Sequence, residues 1–137
     1  MGVSGRQLRV YLVEDSAMLL SRLVELLEGA GIAVVGHADT TATAIREIDA
    51  TAPDVVIVDI ALRHGNGFDV LRILAARNGV GRPTAIVLSN YTSGPYRAAA
   101  KRLGVEYYFD KSSEIFTMLS VLASMARRAG LRNGSDS

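Results

Sequence analysis

Asp54-Val55-Val56-Ile57-Val58-Asp59 decides the fold. Four β-branched residues stand together with no polar alternation between them. Such a run predicts a strand buried on both faces, as in a parallel sheet covered by helices. On its N-terminal side, Leu8–Val13 reads as a first short apolar strand. Ser16 is placed to cap a helix with Leu19, Leu20, Leu23, Val24, Leu26 and Leu27 at helical spacing, ending at Gly29 or Gly31. Ile32–Val35 is predicted as a second strand. Asp39, Thr40 or Thr41 could cap a helix through Ala44, Ile45 and Ile48 that stops before Pro53.

On the C-terminal side, a loop with Gly65 and Gly67 leads to a helix carrying Phe68, Val70, Leu71, Ile73 and Leu74. Thr84–Ser89 reads as a fourth strand, Pro95–Leu103 as an Ala-rich helix closed by Gly104, and Tyr107–Asp110 as a fifth strand. Ser112 or Ser113 is expected to cap a last helix to about Arg128. Residues 1–7 and 130–137 are polar and small, and are expected to be loose ends. Five strands alternating with five helices imply an α/β domain over residues 8–129, with a parallel sheet covered on both faces.

Composition narrows the function. The chain has 137 residues and 49% apolar content, which suits one packed domain. Its 15 Lys+Arg against 14 Asp+Glu give a net charge of +1, so charge makes no case for nucleic acid or membrane as an obligatory partner. It has no cysteine, which excludes disulfides, thiolate metal sites and a Cys nucleophile. Aromatics are 6%, with no Trp, so a stacking platform for single strands is not expected. No signal-peptide core and no membrane-length apolar stretch is visible, and a cytoplasmic location is expected.

In open parallel sheets, functional groups collect at the carboxyl ends of the strands. Here those ends carry Glu14-Asp15, Asp59, Ser89-Asn90 and Asp110-Lys111. Three neighbouring carboxylates repel and favour a hard divalent cation such as Mg²⁺. A cation would neutralise the cluster and leave one carboxylate oxygen as a nucleophile, and carboxylates do form aspartyl phosphates. A lysine and a hydroxyl at adjacent strand ends could hold phosphoryl oxygens. Any one Asp at a strand end is more often a cap or loop residue. The joint pattern at four strand ends argues for the site.

Those residues carry a resemblance. The chain resembles the receiver domain of bacterial response regulators over residues 8–128: the acidic pair Glu14-Asp15, Asp59 followed by Leu62 and Gly67, Ser89, and Lys111 with Tyr108 three residues before it. The resemblance implies a doubly wound, flavodoxin-like fold with strand order 2-1-3-4-5. It implies that Asp59 takes a phosphoryl group from a phosphohistidine on a sensor histidine kinase or a histidine phosphotransfer protein. Mg²⁺ would be held by Asp15, Asp59 and the Ala61 carbonyl, with Glu14 acting through water. Lys111 would pair with Asp59 and then with the phosphoryl group. Ser89 and Tyr108 would switch a partner-binding face. Ala61 and Tyr91 would tune phosphoryl lifetime; Ala61 cannot orient an attacking water, so slow self-dephosphorylation is expected.

Two departures stand out. Arg63 replaces a frequent proline four residues after the acceptor, and Ser112 replaces a frequent proline after the lysine. The Lys111–Ser112 peptide is therefore expected to be trans. His37 and His64 are read as ordinary loop residues, and Arg127-Arg128 with Arg132 as a solvated helix end rather than a nucleic-acid contact. The competing readings are a metal-dependent phosphatase, a flavodoxin-like cofactor binder and a receiver that has lost phosphate chemistry. Ala61, where such phosphatases carry an acid/base Asp, and Glu14-Asp15, which would repel a bound phosphate, weigh against the first two. The partners expected are the phosphodonor protein and a downstream protein or an output domain outside this chain, with a homodimer left open.

Overall fold

A computed structural model of the chain describes residues 6–77 and 81–135. The elements run β1 (Arg9–Val13), α1 (Ala17–Gly29), β2 (Ala33–Ala38), α2 (Thr41–Thr51), β3 (Val55–Val58), α3 (Gly67–Ala75), β4 (Thr84–Ser89), α4 (Gly94–Arg102), β5 (Tyr107–Asp110) and α5 (Ile115–Ser135). The strands form one sheet in the order β2-β1-β3-β4-β5, and every neighbouring pair is parallel. That is the doubly wound order expected from the sequence.

The Val55–Val58 run is fully buried because both faces of the sheet are covered. On one face Tyr11, Val13, Val56, Val58 and Val87 pack with Phe68, Leu71 and Leu74 of α3 and Ala44 and Ile48 of α2. On the other, Val10, Leu12, Ile57, Ile86 and Leu88 pack with Leu23 and Leu27 of α1 and Met118 and Leu122 of α5. Alternate residues of each strand thus feed opposite layers. Ser16 and Thr40 cap α1 and α2 by accepting the N–H groups of Leu19 and Thr43, both at 3.3 Å. Asn66 caps α3 through the Phe68 N–H at 2.8 Å.

Four expectations need correction. The second strand runs to Ala38 rather than Val35, because Tyr11, Leu12 and Val13 give Gly36, His37 and Ala38 a pairing edge. His37 therefore lies within a strand. The last helix does not stop near Arg128 or fray from residue 130. It continues to Ser135 through Gly130 and Gly134, each of which costs about 1 kcal/mol in a helix interior. Ser112 does not cap α5: its hydroxyl donates to Asp110 Oδ1 at 2.6 Å, within the turn that joins β5 to the helix. Residues 6 and 7 are tied down. Arg6 makes a two-pronged contact with Asp54 at 2.9 and 2.7 Å, and Gln7 donates to the Gly31 carbonyl. The rest of the two expected loose ends, residues 1–5 and 136–137, lies outside the described residues. No cis peptide occurs among the described residues, so Lys111–Ser112 is trans as expected.

Candidate phosphoryl-transfer site

Register assembles the site. Val13, Val58, Val87 and Tyr108 form one row across β1, β3, β4 and β5. The carboxyl ends of the four strands, with Glu14, Asp59, Ser89 and Lys111 one to three residues beyond that row, therefore lie together at one edge. Main-chain bonds extend the ladder there, with the Asp59 N–H on the Val13 carbonyl at 2.9 Å and the Lys111 N–H on the Ser89 carbonyl at 3.0 Å.

Glu14 and Asp59 are each only 4% exposed, and Ser89 is fully buried. Buried charges persist only when paired. Lys111 provides that pairing. Its Nζ lies 2.7 Å from Asp59 Oδ2 and 2.9 Å from Glu14 Oε1. Burial opposes the ammonium charge, but the hydrogen bonds to Asp59 and Glu14 outweigh it and hold the Lys111 pKa above the ordinary lysine value. The other oxygens of Glu14 and Asp59 also have donors. Glu14 Oε2 accepts the Ser16 N–H at 2.8 Å, and Asp59 Oδ1 accepts the Ala61 N–H at 3.2 Å. Asp15 Oδ2 accepts the Arg63 N–H.

The cluster fits a hard cation. Glu14, Asp15 and Asp59 each offer an oxygen, and the three oxygens lie within 4.8 Å of one another. Three carboxylates face one lysine, so negative charge is left uncompensated. All-oxygen donors with no Cys and no His suit Mg²⁺. The carboxylates of Asp15 and Asp59 and the main chain of Ala61 are the groups that would hold it, with Glu14 beside them.

The Ser89 side is joined to β5 through the main chain of Tyr91. Ser89 Oγ accepts the Tyr91 N–H at 3.1 Å, while the Tyr108 hydroxyl donates to the Tyr91 carbonyl. Burial pushes the Tyr108 phenol above its ordinary pKa, against the pull of Arg97, so it remains a neutral donor. Arg97 stacks over the Tyr108 ring at 4.9 Å and donates to its carbonyl at 3.2 Å. The Tyr91 ring is 47% exposed and meets Tyr96 at 5.2 Å.

Every candidate residue from the sequence thus gathers at this edge. Two contacts were not foreseen. The Arg63 contact to Asp15 is made by the main chain, which a sequence leaves silent. Arg97 reads as one charge among several until β5 is seen beneath it. His37 lines a shallow cleft with Glu14, Asp15 and Asp39, and His64 bridges to Thr40. Neither histidine belongs to the carboxylate cluster.

The profile of the response regulator receiver domain matches residues 10–123. The chain belongs to the receiver domain family of two-component response regulators. It is 35% identical over 105 residues to the DNA-binding transcriptional activator DevR/DosR of Mycobacterium tuberculosis, a match spanning 75% of this chain and 47% of that protein. It is 40% identical over 84 residues to protein-glutamate methylesterase/protein-glutamine glutaminase 6 of Anaeromyxobacter dehalogenans, over 61% of this chain and 23% of that protein. The matched part of this receiver thus spans less than half of the length of either curated relative. In fold it is similar to the NarL receiver domain of Mycobacterium tuberculosis, with TM-score 0.78 and 22% identity over 88% of this chain and 97% of that one. The BeF3-activated receiver domain of Klebsiella pneumoniae RstA superposes with TM-score 0.75 at 22% identity, covering 87% of this chain and 98% of that one. Among the described residues, no helix is long and apolar enough to cross a membrane.

Proposed function

We propose that this receiver accepts a phosphoryl group on Asp59, in a Mg²⁺-dependent reaction, and so switches a partner-binding face. The observation that carries the reading is the buried Asp59 carboxylate held 2.7 Å from Lys111 Nζ inside a group of three acidic residues. An Asp59 oxygen attacks the phosphorus of a phosphohistidine on a sensor histidine kinase or phosphotransfer protein. The new O–P bond forms as the N–P bond breaks, and the imidazole leaves and takes up a proton. Mg²⁺, held by Asp15, Asp59 and the Ala61 carbonyl, would supply charge neutralisation for the incoming phosphoryl group. Lys111 moves its hydrogen bond from Asp59 to a phosphoryl oxygen, and Ser89 Oγ turns to donate to another.

That turn releases the Tyr91 N–H and biases Tyr108, which sits two hydrogen bonds away. The consequence is a population shift of the α4–β5 surface. The receiver itself turns over no external substrate; it catalyses only its own phosphorylation and dephosphorylation. Ala61 has no group to orient water, and the Tyr91 ring stands at the mouth of the site, so the phosphoryl group is long-lived. The phosphodonor protein on one side, and a downstream protein or an output domain outside this sequence on the other, are its partners. The reaction belongs in the cytoplasm and needs no direct contact with nucleic acid.

The test is intact mass after incubation with acetyl phosphate and Mg²⁺, beside Asp59→Ala. One added phosphoryl group, lost in the variant and without Mg²⁺, is expected. Donor consumed with no gain in mass would replace the reading with phosphatase turnover. Neither consumption nor gain, even from a cognate kinase, would make this a receiver that no longer takes phosphate.

A further inference from the structure

The loop between β3 and α3 is anchored by contacts other than that of Arg63. Its two ends are tied together, with the Gly67 N–H on the Ile60 carbonyl at 2.9 Å and a bridge between Ala61 and Asn66. Its tip is tied sideways to the start of α2 by a bridge between His64 and Thr40. Gly65, at φ +113°, lies against Thr41, and an added Cβ there would come within 3.1 Å of Thr41 Oγ1. Arg63 sits between these anchors, and its N–H donates to Asp15 Oδ2. The donor is therefore fixed by the loop, and Asp15 is what it fixes. Asp15 lies beyond the end of β1 and is less buried than Glu14 or Asp59.

We propose that the Arg63 main-chain N–H is a positioning group for Mg²⁺. It holds Asp15 Oδ2 and so fixes the orientation of a carboxylate that offers an oxygen to the group formed with Glu14 and Asp59. The inference rests on the metal-binding reading given above. Hydrogen bonds that orient a ligating carboxylate typically change metal affinity by about 10–100-fold. Only proline removes a main-chain N–H by substitution.

The test titrates Mg²⁺ into the full chain by calorimetry, without phosphodonor, for wild type, Arg63→Ala and Arg63→Pro. Both variants lose the same positive charge beside a cation site, which by itself favours Mg²⁺. Arg63→Ala, which keeps the N–H, is expected to bind at least as tightly as wild type. Arg63→Pro is expected to bind about 10-fold or more weakly than Arg63→Ala. Equal affinities of the two variants would overturn the positioning role while leaving the metal site intact. Failure of wild type to bind Mg²⁺ would remove the metal reading and this inference with it. Amide hydrogen exchange provides a readout that does not depend on how the proline variant folds. The Arg63 amide should exchange at least about tenfold more slowly in wild type than in Asp15→Ala. Equal rates would overturn the contact itself.

Discussion

Gly67→Ala tests how tightly the loop after β3 governs Asp59. A Cβ at position 67 would lie 2.2 Å from the Asp59 carbonyl oxygen and 2.8 Å from Ile60 Cα. Ordinary contact begins near 3.4 Å, so the first overlap is about 1.2 Å. Both neighbours are main chain, and no rotamer relieves the clash. Either α3 backs away, breaking the Gly67 N–H bond to Ile60, or the end of β3 moves. Overpacking of this kind costs about 1–3 kcal/mol and the lost buried hydrogen bond about 1 kcal/mol more, for a total of about 2–4 kcal/mol. With a mid-range urea m-value of about 2 kcal/mol/M, the unfolding midpoint should fall by about 1–2 M. Because the clash acts on the acceptor's own carbonyl, the Asp59 carboxylate should shift with it. A misplacement near 1 Å should slow phosphorylation by acetyl phosphate about 100-fold in molecules that remain folded. A stability change under about 0.5 kcal/mol, with wild-type phosphorylation, would refute the reasoning.

Lys111→Met should abolish phosphoryl gain by intact mass. It should also destabilise the fold by about 3–5 kcal/mol in urea unfolding, because Glu14 and Asp59 lose their shared cation. Arg6→Ala should matter only away from acid. Burial works to raise the Asp54 pKa, but the Arg6 side chain and the Arg9 N–H outweigh it, so the folded pKa lies below the ordinary value. The stability this provides is present above the unfolded pKa and lost as pH falls through the folded one. Wild type should therefore exceed Arg6→Ala by up to about 1 kcal/mol at neutral pH, and the gap should close as pH drops below about 3.9. Ala61→Asn, which supplies an amide able to orient water, should shorten the phosphoryl half-life measured by mass after donor removal. A wild-type half-life of only seconds would count against the slow-release reading.

Much of the fold was legible because strong local signals agreed with the global arrangement. The β-branched run before Asp59 could only be a strand covered twice, and Ser16 marked its helix start. The strand ends then placed Glu14, Asp59, Ser89 and Lys111 together with no further information. What stayed illegible was set by partners distant in sequence. Gly36 and His37 look like loop residues, yet β1 gives them a pairing edge. Ser112 looks like a helix cap, yet Asp110 claims its hydroxyl. Arg63 looks like a surface charge, while its contribution is a main-chain donor shared by every residue but proline.

Ser89 and Tyr108 both bond the main chain of Tyr91, one at its N–H and the other at its carbonyl, and neither bond uses the ring. Under the function proposed above, wiring and timing would be separated at a single position. Exchanging the half-exposed ring would change the life of the signal. The peptide groups on either side of it would still carry that signal to the same surface. A receiver built this way can be retimed without being rewired.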